Sequence, residues 1–252
     1  MAAFTSLVQA QAIKVNRYLP ADAPKYKQDT KLDYEYGNGE YGKTELIFHC
    51  ETDRGYYEFV LTKKIRSLVR HTEYKQGDIV QENYNFKKRQ WEYAAGSKTR
   101  KDMNSAAELT YEVSDHDIYA FVLLQDHGGT VEKAMFKDFG TKVSWPEFDY
   151  GLCSVSDEDK DGSPEFYLSY FTDSDGLDAK DFKQIIYTAP VAAAKGKSFA
   201  KAKATASYNE EATEKAERYR VIYDANWNNL PEAVKRKSRK IVQEHQKEAT
   251  RR

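Results

Sequence analysis

The run Glu45-Leu-Ile-Phe-His-Cys50, the turn residues Thr52-Asp-Arg-Gly55 and the run Tyr56-Tyr-Glu-Phe-Val-Leu-Thr62 decide the fold. Two β-prone segments flank a turn cluster, which is the pattern of an antiparallel hairpin. The same period of two recurs on either side. Residues 78–86 and 90–93 alternate apolar and polar side chains, Ile118-Tyr-Ala-Phe-Val-Leu-Leu124 reads as a buried strand, and Asp126-His-Gly-Gly129 marks a turn before residues 131–136. Residues 166–171 and 183–187 bring the expectation to about eight to ten strands. Helix signals wait until Leu230-Pro-Glu-Ala-Val-Lys-Arg-Lys-Ser-Arg-Lys-Ile-Val-Gln-Glu-His-Gln-Lys247, where Pro231 suits a helix start and Val234, Ser238, Ile241 and His245 share one face. The expected fold is mainly β, a large antiparallel sheet, sandwich or curled sheet, with a C-terminal α-helix. Residues 13–190 form its β-rich domain, and residues 191–252 add a strand and helix packed on that domain. The small-residue stretch 189–206 reads as a connection or an edge strand.

The 252 residues are 40% hydrophobic and 31% charged, so the surface is strongly solvated. The 19 Tyr and 12 Phe suit pleated sheet. No stretch of residues 13–252 reads as a transmembrane span. Thirty-nine Lys and Arg against forty Asp and Glu give no global attraction to nucleic acid or anionic lipid. Residues 1–12, Met-Ala-Ala-Phe-Thr-Ser-Leu-Val-Gln-Ala-Gln-Ala, read as the residue of a secretory signal peptide, since Val8-Gln9-Ala10 and Ala10-Gln11-Ala12 both fit the small-x-Ala cleavage pattern. The expected location is therefore periplasmic or secreted. Cys50 and Cys153 sit in strand-like runs and are either one disulfide or two buried thiols.

Charge is concentrated locally. Residues 147–178 hold ten acids and one base, a local charge of −9, while residues 195–252 hold fifteen bases and eight acids, or +7. The two regions should attract each other. The basic run Lys235-Arg-Lys-Ser-Arg-Lys240 is otherwise a solvated helix face.

Inside the acidic region, Asp157-Glu-Asp159-Lys-Asp161-Gly162-Ser-Pro-Glu165 places carboxylates at loop positions one, three, five and nine, with glycine at six. Calcium takes six to eight hard oxygens at about 2.3–2.6 Å, and a tight loop with alternate residues turned inward supplies them. Position twelve is Leu168, which excludes a regular EF-hand, and the flanks are strand-like. The second cluster, Asp173-Ser-Asp175-Gly176-Leu-Asp178, reads as a polar turn.

The first loop resembles the β-hairpin calcium loop of FG-GAP/VCBS and integrin-propeller repeats, D-x-D-x-D-G-x-x-D/E between two strands. The resemblance implies a structural Ca2+ held by the side chains of Asp157, Asp159, Asp161 and Glu165 and by the backbone carbonyl of Ser163. On a wider scale, S-D-x-D-x-D-G-x-x-E-F-x-L-x-Y from Ser156 to Tyr170, then Asp181-Phe-Lys-Gln-Ile-Ile-Tyr187, then Tyr223-Asp-Ala-Asn-Trp-Asn-Asn-Leu-Pro231 is similar to a family of uncharacterised bacterial envelope proteins. These often carry a label of surface polysaccharide biosynthesis. The likeness spans roughly residues 40–248 and is strong over residues 155–187 and the tail. It brings no catalytic motif.

No enzyme signature stands on its own. His49, His71, His116, His127 and His245 lack zinc spacing, and no nucleophile elbow or phosphate-cradling loop is present. Asp115-His116-Asp117 and Asp126-His127-Gly128 read as turn residues at strand ends. The expected function is a non-enzymatic, exported binding protein. Its expected partner is a protein, as for an immunity protein that neutralises a secreted antibacterial effector. The alternative is a polysaccharide-binding or polysaccharide-processing envelope protein presenting Trp91, Trp145 and Trp227 to glycan.

Overall fold

The computed structural model describes residues 13–18, 40–53, 55–75, 77–126, 129–141, 143–174, 180–189, 199–209 and 218–249. The segment read as a signal peptide lies outside them. The described chain runs β1 (Lys14–Tyr18), β2 (Lys43–Thr52), β3 (Gly55–Tyr74), β4 (Ile79–Asn85), β5 (Gln90–Tyr93), a 3-10 turn (Arg100–Asp102), β6 (Ala107–Asp126), β7 (Gly129–Phe139), β8 (Ser144–Phe148), β9 (Ser154–Ser156), β10 (Glu165–Ser174), β11 (Lys180–Thr188), β12 (Ala200–Tyr208), β13 (Tyr219–Tyr223), α1 (Ala225–Asn228) and α2 (Glu232–Ala249).

These strands form two antiparallel sheets. In the first, β2 and β4 share one edge of β3, β2 along its first half and β4 along its second, while β6 follows the other edge almost throughout. β1 lies outside β2, β5 outside β4, and β7 outside the later half of β6. The hairpin that decided the fold pairs as read, with Phe48 opposite Phe59 and Thr52 opposite Gly55. The second sheet runs β13-β12-β11-β10, with β8 and β9 in tandem on the far edge of β10. The thirteen strands among the described residues exceed the eight to ten expected. The additions are short segments such as β1, β8 and β9, whose period-two signal covers too few residues to stand out.

The sheets pack face to face. Phe48, Phe59, Leu61 and Val122 of the first meet Phe166, Leu168 and Ile185 of the second in one buried cluster, with the Phe59 and Phe166 rings 5.6 Å apart. The outer face of the second sheet is buried as well, beneath α1 and α2, where Tyr167, Phe182, Ile186 and Ala204 meet Trp227, Val234 and Ile241. β10 is thus buried on both faces, which is why Phe166-Tyr-Leu-Ser-Tyr170 lacks a clear apolar–polar alternation. The small residues at 189–206 suggest a connection or an edge. The described part forms β12, which is an interior strand between β11 and β13, and Ala202, Ala204 and Ala206 face the helices. Cys50 and Cys153 are free thiols buried in the inter-sheet cluster, not a disulfide.

α2 starts after Pro231, whose carbonyl accepts from Lys235 N–H at 3.0 Å. Val234, Ser238 and Ile241 are buried along one face, and His245 stacks on Phe182 at 4.1 Å, as the spacing requires. Within the interface, Trp227 Nε1–H donates to Ser238 Oγ (2.9 Å), which donates to Gln184 Oε1 (2.5 Å).

Candidate metal centre

The acidic loop joins β9 to β10, and the antiparallel register sets Glu165 opposite Ser156. The loop is therefore a hairpin tip, with strands on both sides. Two of its residues have left-handed backbone, Lys160 (φ 61°) and Gly162 (φ 80°). Glycine takes that conformation freely, and this is the sharp turn that position six requires. Asp157 caps the turn, its two oxygens accepting from Asp161 N–H (3.1 Å) and Gly162 N–H (3.0 Å). Asp159 Oδ1 accepts from Asp161 N–H (3.2 Å), and Glu165 Oε2 accepts from Glu158 N–H (2.8 Å) across the base of the loop.

The result is convergence of charge. Carboxylate oxygens of Asp157, Asp159 and Glu165 lie within 4.8 Å of one another, the one such potential metal-ligand group among the described residues. Glu165 is only 3% exposed. Burial pushes its carboxyl up to about 8, and repulsion from Asp159, Asp157 and Asp161 adds to this against the bond from Glu158 N–H. Burial and the Asp161 charge raise Asp159 too. A hard divalent cation fits this donor set, because it replaces mutual repulsion with attraction and prefers oxygen ligands. Of the five residues named from sequence, three converge. Asp161 is exposed, with Oδ1 accepting from Ser163 N–H (2.7 Å), and Ser163 is buried beside it in the same loop.

The loop is also tied to α2. Lys237 Nζ donates to Glu158 Oε1 (3.0 Å) and Ser156 Oγ (2.8 Å), and lies 5.0 Å from the centre of the Tyr167 ring. Burial works to raise the Glu158 carboxyl, but its bonds to Lys237 and Ser156 outweigh that and hold it below the ordinary value. The attraction expected between the acidic and basic regions is thus realised at one named pair. Beside it, a groove of about 410 Å³ runs between the loop base and α2, lined by Ser154, Glu158, Arg236, Lys237, Lys240 and Ile241.

A catalytic constellation is not built here from the histidines described. His116 is 1% exposed and held from both sides: Nδ1 faces Ser114 Oγ (2.7 Å), and Nε2 faces the Pro146 carbonyl (2.8 Å) and Glu147 Oε2 (3.0 Å). Glu147 is shared with Lys63 at 2.5 Å. Serine, imidazole and carboxylate meet, but a fully buried ring leaves a substrate no approach, so the group cross-links β3, β6 and β8. Sequence reading missed it because His116 and Glu147 are thirty-one positions apart. His71 stacks on Tyr111, and His49 faces Glu58 at 3.5 Å. His127 lies outside the described residues, as does the second acidic cluster beyond Ser174. Of the tryptophans read as exposed, Trp227 is buried under α2, Trp91 is half-buried with the Arg70 guanidinium 3.8 Å from its ring centre, and Trp145 is half-buried.

Fold and site together define a β-sandwich carrying a convergent acidic hairpin loop. No family model matches the chain, and no curated protein or solved structure matches it.

Proposed function

We propose that this protein is a non-enzymatic, calcium-stabilised binding protein of the periplasm or extracellular space. The observation that carries the calcium assignment is the convergence of Asp157, Asp159 and Glu165, with Glu165 buried at the base of a strand-flanked D-x-D-x-D-G-x-x-E loop. Bound there, the ion would be held by these three carboxylates, with Asp161 and the Ser163 carbonyl completing its oxygen shell. It would stiffen the β9–β10 tip on which Glu158 receives α2. Export is supported by the two signal-peptidase-like patterns in residues 1–12 and by the higher calcium outside the cytosol, which suits a loop of this modest ligand count. A protein partner is supported by large apolar side chains left exposed on β4, β5 and the turn between them, among them Ile79, Phe86 and Tyr93. The partner proposed is a secreted antibacterial effector that this protein neutralises. A glycan partner has less to recommend it, since Trp227 offers no open face.

Thermal unfolding in excess calcium and in chelator tests the metal. Calcium at about 100 times its dissociation constant should add roughly 2.7 kcal/mol, an increment that Asp159→Ala with Asp161→Ala abolishes without unfolding the sheets. An unchanged Tm in calcium would reduce the loop to a solvated turn. Co-purification with the product of a neighbouring toxin gene tests the partner, and growth protection lost on deleting this chain is the expected result.

A further inference from the structure

β3 and β6 are each twenty residues long and pair along nearly all of that length, yet β7 covers the outer edge of β6 only from Asp117 onward. The outer edge of residues 107–115 pairs with no strand among the described residues, and residues 107–112 are all exposed.

Strand alternation tells which backbone groups face out. Gln81 directs its N–H to Ser97 Oγ and its carbonyl to Ala94 N–H, both 2.9 Å and both away from β3. Its partner His71 therefore turns its groups toward β6, and Tyr111, opposite His71, turns its own inward to β3. The N–H and C=O groups of Thr110, Glu112 and Ser114 consequently point into solvent, while Glu108 is the extra residue of a bulge against Glu73 and Tyr74. The bond from Gly140 N–H to the His116 carbonyl (3.1 Å), at the place where β7 begins to cover this edge, has the same parity.

An open edge is a template for another strand, and proteins usually blunt one with lysine, proline or shortness. β1 has five residues including Lys14 and Arg17, β5 has four, and β7 carries Lys133 and Lys137. The edge Ala107-Glu-Leu-Thr-Tyr-Glu-Val-Ser-Asp115 has neither lysine nor proline.

We propose that this edge pairs antiparallel with the same edge of a second copy of the chain, about a two-fold axis at Tyr111. In that register Tyr111 faces itself, Thr110 faces Glu112, Leu109 faces Val113, Glu108 faces Ser114 and Ala107 faces Asp115. Every acid meets an uncharged residue, and Leu109, Tyr111 and Val113 form apolar cross-strand pairs on one face. Moving the axis by one residue sets Glu108 against Glu112, or Glu112 against itself. Glu112 is in addition neutralised within its own chain by Arg70 at 2.7 Å. The outward groups of Thr110 and Glu112 of each chain would exchange hydrogen bonds, which leaves Tyr111 in the non-hydrogen-bonded position where opposed Cα atoms are about 4.5 Å apart.

Sedimentation of the full chain over a wide concentration range should show a reversible monomer–dimer equilibrium. Thr110→Pro removes an outward N–H and, toward β3, only the long side-chain bond from Thr110 Oγ1 to Thr72 Oγ1 (3.4 Å), so it should be monomeric with an unchanged β spectrum. Tyr111→Cys should form a reducible covalent dimer under oxidation, whereas Glu112→Cys, facing Thr110, should not; the native thiols are buried and do not interfere. A wild-type chain monomeric at every concentration would overturn the proposal, as would a dimer that tolerates Thr110→Pro. If Thr110→Pro misfolds, the cross-linking pair decides: no preference for Tyr111→Cys over Glu112→Cys refutes the axis.

Discussion

Glu165 carries the strongest conflict among the described groups at the candidate centre: a carboxyl almost without solvent, facing two other carboxylates. Its titration gives a prediction with a definite sign. The folded-state value of about 8 lies above the unfolded value, so the folded chain binds this proton more tightly. In chelator its contribution to stability is fully present below the ordinary carboxyl range and is lost as pH rises through about 8. Denaturation of the metal-free protein should therefore show a fall in stability between pH 5 and pH 8 that Glu165→Gln removes. The same variant should be more stable than wild type in chelator at pH 8 and should gain nothing from calcium. The convergence of Asp157, Asp159 and Glu165 was legible in the sequence because the residues of one tight loop lie close along the chain. The turning of Asp161 toward Ser163 N–H was not, since an Asx-type bond depends on local backbone angles.

For α2, an apolar spacing of three and four and a proline at its start were enough to place the helix and choose its buried face. Ser238 on that face relays in the fold between the indole of Trp227 and the amide of Gln184. Ser238→Ala would leave a buried indole N–H without its acceptor, and such a loss costs about 1–3 kcal/mol. A urea midpoint lowered accordingly, with unchanged slope, is the expected outcome. No shift would mean that water replaces the hydroxyl. β3 and β6 were less legible. Arg66 and Arg70 interrupt the apolar alternation of β3, and their partners Asp115, Asp117 and Glu112 on β6 lie more than forty positions away, so the pattern is self-consistent only once the register is formed. The bulge between Ile65 and Ser67 shifts the alternation again.

For the whole molecule, three buried clusters occur among the described residues: two share β10 and β11, one against the first sheet and one against the helices, and a third gathers Ile47, Val60, Phe121 and Leu123 on the other face of the first sheet. Phe166 sits at the centre of the inter-sheet layer, with Phe59, Tyr57 and Phe199 around it. Phe166→Ala should cost about 3–5 kcal/mol, read from chemical denaturation, because neighbours on rigid strands cannot collapse into the space left. A loss below about 1 kcal/mol would show that the two sheets are not packed as one core. The same layering is why loss of the proposed metal should be felt beyond the loop, since β10 carries Glu165 at its start and both cores along its length.

Period-two alternation, turn residues and a terminal amphipathic run are local signals, and they determined a mainly β chain ending in a helix, with one acidic hairpin loop between strands. That much follows from sequence alone, because side-chain direction in a strand or helix repeats over a few residues. The tertiary structure decided the division into two sheets, the interior place of β12, the burial of Trp227, the free state of the two thiols, and the joining of Lys237 to Glu158. Each of these depends on which distant segments come into register. That is settled by long-range burial and pairing, for which the linear chain carries no local mark.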